Sequence, residues 1–368
     1  MEIARQTNVN KAASHRQLPA APASTIRNLK LLLTAANCLF LSLGNAGGPI
    51  FLRLYFLHGG RRQWLSSWIQ TAGWPILLLL LAFSFIHRRR SDPSAPLFHL
   101  SRRLFTAAVV IGLLTGLDDF LYSYGLSFLP VSTSAVLIAT QLAFTAFFAF
   151  VIVRQRFTAF SVNAVALLTV GAAVLALHSG GDRPAGVTVA GYWKGFALTL
   201  GAAALYGLVL PLVELAYGKA GRPVTYTLVM EMQLVIGFFA TALSTVGVIA
   251  NHDFQAMAGE AATYGLGEAK YYAVIVAAVI FWQLFFLGAV GVISCVNTLL
   301  AGIIIAVFIP VVEVLGVIFL HEKFSTEKGV ALALSLWGLA SYSYGEYRES
   351  KKKKKNQNEL QSENLPAV

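Results

Sequence analysis

The sequence predicts an all-α integral membrane protein with about ten transmembrane helices in a five-plus-five inverted repeat. Three observations predict this fold class. Of the 368 residues, 57% are hydrophobic and only 12% are charged, whereas a soluble domain carries about 25% charged residues. Ten stretches of the chain are apolar and of the roughly 20-residue length that a helix needs to cross a bilayer. Two of these stretches, five spans apart, resemble each other.

The ten predicted spans follow one another closely along the chain. They lie near residues 29–56, 66–86, 104–127, 131–153, 159–178, 190–217, 225–250, 270–292, 295–320 and 328–347. Several junctions between them are very short, which requires the neighbouring helices to be antiparallel. Residues 1–28 and 348–368 are polar, so we expect two disordered cytoplasmic tails around a transporter-like domain at 29–347.

The basic residues predict the orientation of these spans. With the amino terminus in the cytoplasm, most of the 28 Lys and Arg residues fall on the cytoplasmic side, including Arg88, Arg89 and Arg90. The positive-inside rule therefore places both termini in the cytoplasm. The net charge of +11 lies in short loops between apolar runs, so no nucleic-acid partner is expected. The run Lys351–Lys355 either contacts anionic lipid or acts only as a topology signal.

The internal repeat relates the fourth span to the ninth. The segment VIVRQRFT at 151–158 aligns with IFLHEKFS at 318–325, and Gly171 aligns with Gly338 at the same offset of 167 residues. Convergent membrane-helix composition is the alternative explanation. Because the copies are five spans apart, the second copy is inverted, with halves near 29–178 and 190–347. Inverted repeats are typical of secondary transporters, which bind their substrate near the bilayer midplane.

Acidic residues inside the spans are the predicted proton-coupling residues: Glu231, Asp118, Asp119 and Glu313. A charge at mid-helix costs about 3 kcal/mol on insertion scales, so such residues indicate function. With no mid-span Lys or Arg as a partner, these carboxylates can bind and release protons. Glu231 is the expected principal carrier. Asp118 and Asp119 point about 100° apart, so one of them is expected to assist. Glu313 follows Pro310 and has either a cavity role or a structural one at the kink.

Uncharged polar and aromatic residues within the spans are the predicted substrate-binding residues. Amides offer a donor and an acceptor together, which suits a heteroaromatic ring with both on its edge, and aromatic side chains can stack on such a ring. The predicted residues are Asn45, Gln70, Trp74, Tyr122, Gln141, Thr145, Trp282, Gln283 and Asn297. For Trp74 and Trp282, helix packing is the alternative role. Close helix packing is the expected role of Gly44, Gly47, Gly48, Gly112, Gly116, Gly201 and Gly207.

The sequence argues against an enzyme and against an ATP-driven pump. The seven His residues are scattered without metal-ligand spacing, and no phosphate-binding loop of the Walker type occurs. No metal and no cofactor are expected. Cys38 and Cys295 lie inside apolar runs, where we expect them to pack as small hydrophobic residues. A transporter and a channel or passive facilitator are the remaining classes.

Seven long motifs of the chain are specific. One of them is GLDDFLYSYG at 116–125. The others lie at 47–56, 59–75, 129–134, 138–148, 201–215 and 321–338. In these motifs the chain resembles the plant purine permease family, within the drug/metabolite transporter superfamily. The resemblance covers roughly residues 29–347 and implies a ten-helix fold with an inverted repeat. It also implies proton-coupled uptake into the cytosol across the plasma membrane. The implied substrates are adenine and other purine bases, cytokinins, methylxanthines and, in some members, vitamin B6 forms or alkaloids.

We therefore expect a secondary active, proton-coupled importer of purine-type heterocycles that works by alternating access. A passive facilitator, or a transporter of a non-purine heterocycle such as pyridoxine or an alkaloid, is the alternative. The expected partners are the small-molecule substrate, protons and membrane lipid. The plasma membrane is the expected location, with the tonoplast as the alternative, and the sequence leaves the oligomeric state open.

Overall fold

The architecture comes from a computed structural model that describes residues 23–91, 93, 96–154, 158–177, 183–221, 225–295 and 298–363. Throughout these residues the regular structure is helical, without a strand. The helices are α1 (Ala23–Leu57), α2 (Gln63–Thr71), α3 (Pro75–Ser91), α4 (Arg102–Leu126), α5 (Val131–Ala139), α6 (Gln141–Val153), α7 (Ala159–Leu177), α8 (Val189–Gly218), α9 (Tyr226–Ala250), α10 (Asp253–Ala262), α11 (Glu268–Cys295), α12 (Thr298–Leu320) and α13 (Thr326–Glu363).

Each of the ten predicted stretches is helical where the structure describes it, but two of them are interrupted. The second stretch forms α2 and α3, which are separated by a turn just before Pro75. Proline has no backbone N–H and disfavours helical geometry in the residue before it, which explains this break. The fourth stretch forms α5 and α6, separated at Thr140, whose hydroxyl donates to the carbonyl of Leu137 at 2.6 Å. The prediction of one continuous helix in each stretch missed both breaks.

The structure also differs from the sequence prediction outside the spans. The short helix α10 was not predicted, because ten residues are too few to register as a span. Helix α13 continues to Glu363, through most of the stretch expected to be a disordered tail. That stretch contains Lys, Gln and Glu, which are good helix formers, and it has no Gly or Pro before Glu363. Helix α1 begins at Ala23, before the expected start at residue 29, and residues 1–22 lie outside the described part.

The surface of the helix bundle is apolar over much of its height. Seven of the described helical segments are long and apolar enough to cross a membrane, and Ala159–Val174 is a shorter apolar helix. Large apolar side chains point away from the bundle, and Leu79, Phe83, Val246 and Trp337 are between 65% and 73% exposed. Such a surface is stable in lipid and not in water. The prediction of an all-helical integral membrane protein is confirmed at this level.

Helices α1 and α11 are antiparallel and in close contact. A Cβ atom at Gly44 would lie 2.2 Å from the backbone nitrogen of Phe285, and one at Gly288 would lie 2.2 Å from that of Leu41. These distances are far below van der Waals contact, so the two backbones approach closely only because both positions are glycine.

Substitution of Gly44 by Ala is expected to lower the thermal stability of the detergent-solubilised protein by several degrees, because one of the two helices must move away to accommodate the methyl group. Gly201→Ala is the matched control, since its added methyl group would meet only a side-chain carbon of Leu121 at 3.7 Å. Melting temperatures from a thiol-independent fluorescence assay test the difference. Equal stability of both variants would contradict the close packing of α1 on α11.

Helices α4 and α9 run parallel with a defined register. A Cβ atom at Gly112 would lie 2.7 Å from the carbonyl oxygen of Ile236, and one at Gly116 would lie 2.9 Å from that of Ala240. Residues of α4 are therefore level with residues of α9 that are 124 positions further along the chain. This register fixes the relative depth of the polar residues on the two helices.

The remaining helices complete the bundle through a small set of pairs. Helix α1 packs on α11 and α12, α4 packs on α8 and α9, and α7 packs on α13. Further pairs are α2 with α9 and α11, α5 with α12, and α6 with α8. In the α7–α13 pair, Cβ atoms at Gly171 and Gly338 would each lie 3.2 Å from a carbonyl oxygen of the opposite helix. The two glycines that the sequence repeat aligned thus lie in the same interface.

Candidate functional site

A narrow cavity lies about halfway along four membrane-length segments. It encloses only about 20 Å³, roughly the space for one water molecule, so it must widen to hold a larger ligand. Its lining comes from α2, α3 and the turn between them, from α4, from α9 and from α11. The lining residues are Thr71, Trp74, Leu77, Thr115, Gln233, Ile236, Gly237, Ala240, Gln283 and Phe286. Most of them lie close to the middle of their segments, which is the depth at which transporters bind their substrates, whereas Gln233 and Phe286 lie about a quarter of the way from one end.

Gln283 of α11 is the cavity residue best placed to bind a ligand. Its side chain is only 5% exposed, and its amide nitrogen Nε2 has no hydrogen-bond partner among the described residues. The turn between α2 and α3 admits this side chain, because a Cβ atom at Gly73 would lie 2.6 Å from Gln283 Oε1. A buried donor without a partner is costly, so Gln283 is ready to donate to an acceptor on a bound molecule.

The wall of the cavity is aromatic. The ring of Trp74 meets Phe238 edge to face at 5.3 Å between centroids. Phe286, also in the lining, lies 6.3 Å from Trp282, and Trp282 meets Tyr122 edge to face at 6.0 Å. Trp282 therefore contacts a lining residue without lining the cavity itself, and Tyr122 packs against Trp282. The indole N–H of Trp282 is buried without a partner among the described residues.

Two adjacent acidic residues lie one helical turn from the cavity. Asp118 and Asp119 follow Thr115 on α4 and are 7% and 5% exposed. No Lys or Arg forms an ion pair with them among the described residues. Gln70 donates its Nε2 to the carbonyl oxygen of Asp119 at 3.0 Å and to Ser123 Oγ at 2.6 Å. Asp119 Oδ2 and Gln70 Oε1 both lack a donor in the described part of the chain.

Glu231, in contrast, is already hydrogen-bonded. It lies near the start of α9 and is 1% exposed. Its Oε2 accepts from the backbone N–H of His99 at 2.7 Å, and its Oε1 lies 3.0 Å from His99 Nδ1. Arg88, at the end of α3, places its Nη1 at 3.0 Å from His99 Nε2 and at 3.3 Å from Nδ1. Because a carboxylate only accepts, the bond between Nδ1 and Glu231 requires a hydrogen on Nδ1.

A second group of polar contacts lies at the opposite end of the bundle. Glu322 Oε1 accepts from the backbone N–H of Val131 at 2.7 Å, and Oε2 accepts from the N–H and hydroxyl of Ser132 at 3.1 and 2.7 Å. A carboxylate is favourable there, since the N-terminus of a helix carries partial positive charge. Lys328 donates to Ser132 Oγ at 2.7 Å, and Arg53 donates to the carbonyl of Leu126 at 2.8 Å. These contacts join α1, α4, α5 and the α12–α13 connection.

Among the other predicted site residues, those that the structure describes lie away from the cavity. Asn45 donates to the carbonyl of Ile305 at 3.2 Å and so joins α1 to α12. Gln141 and Thr145 lie where α6 approaches Gly207 of α8. Asn297 lies outside the described residues, as does the side chain of Glu313, and their roles stay predictions.

Several residues near the cavity were not among those predicted from the sequence. Thr71, Thr115 and Gln233 line it, and His99 binds Glu231. Gln233 carries a signal of its own, as an amide within an apolar span. The two threonines carry none, because threonine is common in membrane helices, where its hydroxyl bonds back to the helix, as Thr115 does to the carbonyl of Ile111 at 2.9 Å.

These features define a class, namely an integral membrane protein that is helical in its described residues, with a small, mostly apolar cavity that contains a few polar groups. Residues 32–352 match the family of purine nucleobase transmembrane transport. The chain is 49% identical to purine permease 3 of Arabidopsis thaliana over 334 residues, which cover 90% of this chain and 95% of that protein. It is 48% identical to purine permease 2 of the same plant over 346 residues, covering 90% and 97%. The chain belongs to the purine permease family.

Family membership confirms two predictions from the sequence. The resemblance to purine permeases is correct, and the family is one of transmembrane transport, so the protein is a transporter and not an enzyme. The substrate class of the family is the purine nucleobase.

Proposed function

We propose that the protein is a secondary active, proton-coupled importer of purine-type heterocycles, including adenine and cytokinins, that works by alternating access. The observation that carries this proposal is the mid-depth cavity with the unpartnered Gln283 donor beside the Trp74 ring. A purine base is a flat aromatic ring with donors and acceptors on its edge. It matches an aromatic wall and a few buried polar groups.

The pattern of helix pairs supports ten spans arranged as an inverted repeat. When the breaks in the second and fourth spans are ignored, the main helix pairs include spans 1–8, 3–6, 3–7, 2–8, 4–6, 1–9, 2–7, 4–9 and 5–10. Helix α2 also packs on α4, which is the pair 2–3, and its exchanged pair 7–8 is likewise in contact. Exchanging each span with the one five positions away converts 1–8 into 6–3, 3–7 into 8–2 and 4–6 into 9–1. The pairs 2–7, 4–9 and 5–10 convert into themselves. A pattern that survives this exchange is what two structurally related halves produce.

The distribution of basic residues supports the orientation. The end of the bundle where α3 ends and α4 begins carries Arg88, Arg89, Arg90, Arg102 and Arg103. We assign this arginine-rich end, together with both termini, to the cytoplasm, and we assign the protein to the plasma membrane.

The hydrogen bonds lead us to assign the coupling proton to Asp119, with Asp118 beside it, and not to Glu231. Asp119 has an oxygen without a donor, whereas both oxygens of Glu231 already have His99 as a partner. A proton on Asp119 removes a buried charge one turn from the cavity, so the occluded state with substrate costs less free energy. Outward opening loads the proton and the ring, and inward opening releases both to the less acidic cytosol.

Uptake of labelled adenine into yeast that lacks its own purine permease tests the function. We expect saturable uptake that is several-fold faster at acidic than at neutral external pH and that collapses when a protonophore is added. Non-saturable uptake that is insensitive to the protonophore would instead identify a passive facilitator. If the protein reaches the surface and moves neither adenine nor cytokinins, the proposed substrate class is wrong.

A further inference from the structure

We propose that His99 is the gating residue at the cytoplasmic end of the cavity, where its bonds to Glu231 form a latch that must open before substrate is released. The side of the membrane assigned to this latch rests on the proposed function. The latch consists of Arg88, His99 and Glu231, and its contacts are those described above. No motif in the sequence marks His99, because it lies in the connection between α3 and α4.

Glu231 lies between the cavity and the arginine-rich end of the bundle. In the register of α4 and α9, Glu231 is level with Ala107, which is 11 residues before Asp118, or about 17 Å along the helix axis. The cavity residues of α9, from Gln233 to Ala240, lie between these two levels. The order along the axis is therefore the acidic pair, the cavity and then Glu231 with His99, which is nearest the arginine-rich end.

The hydrogen bonds to Glu231 come from a connecting segment and not from a neighbouring helix. Glu231 is buried in the bundle, but its partner belongs to the non-helical segment Pro96–Leu100. Both bonds go to the same residue, so losing one partner removes both bonds between the segment and Glu231. Charge-assisted hydrogen bonds to a buried carboxylate are among the strong ones. A single carboxylate thus holds a connecting segment against the bundle below the cavity.

Arg88, on α3, contacts the same histidine that binds Glu231. Its guanidinium lies against the imidazole of His99, with Nη1 at 3.0 Å from Nε2 and 3.3 Å from Nδ1, and it also approaches the carbonyl oxygen of Pro96 at 3.5 Å. These contacts hold His99 from the side of α3, so Arg88 is a positioning residue that acts through His99. Around Glu231, the described ion pairs include only the one to His99. This contact adds to the packing of Leu100 against the apolar cluster that includes Leu228 and Met232 of α9.

The test measures access to the cavity from each side of the membrane and needs no substrate. Thr115, which lines the cavity, is replaced by Cys in a background with Cys38→Ser and Cys295→Ser. Right-side-out and inside-out vesicles are treated with a membrane-impermeant thiol reagent. His99→Ala and Glu231→Gln are each expected to raise the labelling rate from the cytoplasmic face by about tenfold or more, with no rise from the outer face.

Three comparisons separate a latch from a general loss of packing. His87→Ala, an exposed histidine on α3, should label like the parent. The double variant His99→Ala/Glu231→Gln should label no faster than either single variant, because both remove the same contact. His99→Asn retains the backbone donor and supplies a side-chain amide donor, so it should restore part of the parental rate.

Labelling of His99→Ala and Glu231→Gln that matches His87→Ala, or that rises equally from both faces, would overturn the latch. A rise from the outer face alone would also overturn it. Since the readout is independent of transport, a wild type that moves no adenine would reject the proposed substrate, while one-sided labelling of the His99 variants would still support the latch.

Discussion

Asp119→Asn is expected to abolish the acceleration of adenine uptake at acid pH and to reduce accumulation to equilibration across the membrane. Asparagine has nearly the same size as aspartate but carries no titratable proton, so movement of the ring is no longer tied to the proton gradient. A one-to-one symporter can concentrate substrate up to about tenfold for each pH unit of gradient, so the loss is large. Exchange of internal for external adenine should persist, because it requires no net proton movement.

Yeast uptake at acidic and neutral pH, together with counterflow in vesicles, separates these two activities. Glu214→Gln is the matched control, since Glu214 is an exposed carboxylate at the end of α8, and it should behave like the wild type. Glu231→Gln should keep its acceleration at acid pH if the latch is the role of Glu231. The reverse result, in which Glu231→Gln loses the acceleration of uptake at acid pH and Asp119→Asn retains it, would assign the coupling proton to Glu231.

Gln283→Leu is expected to weaken the apparent affinity for adenine by about 10- to 100-fold. Leucine fills a similar volume but offers no donor, so an acceptor on the bound ring would stay buried without a partner. That loss corresponds to about 1–3 kcal/mol. The half-saturation concentration for adenine counterflow measures the effect, because counterflow isolates binding and translocation from the proton gradient.

Gln255→Leu provides the control for the loss of an amide, since Gln255 is exposed on α10, away from the cavity. It should leave the half-saturation concentration unchanged. Both variants should show the surface expression and melting temperature of the wild type. An unchanged affinity in Gln283→Leu, with normal expression, would place the purine outside this cavity.

Hydropathy was sufficient to find the membrane helices because lipid imposes one simple requirement. Each span must be apolar along its length and must satisfy its backbone hydrogen bonds internally. The break before Pro75 was harder to predict, since many membrane helices accommodate a proline, as α1 does at Pro49 and α8 at Pro211. Whether a proline bends or interrupts a helix depends on neighbouring helices that the local sequence does not specify.

The residues of the candidate site could likewise be predicted only in part from the sequence. The sequence drew attention to Trp74 and Gln283 as polar or aromatic residues at mid-span, and both line the cavity. It also drew attention to Glu231 but not to His99, because the helix on which a connecting segment folds depends on tertiary packing. The carboxylate of Glu231 had no partner within the spans, and that partner came from a loop.

Helix α3 connects the cavity with the proposed latch. At one end it is joined to α2 by the turn that carries Trp74, while α2 is held on α4 through the Gln70 hydrogen bonds. At its other end it carries Arg88, about 20 Å from Pro75 along the axis. A stiff helix of this length that tilted about the turn would displace Arg88 further than Trp74, so a small change at the cavity wall would reach the latch enlarged.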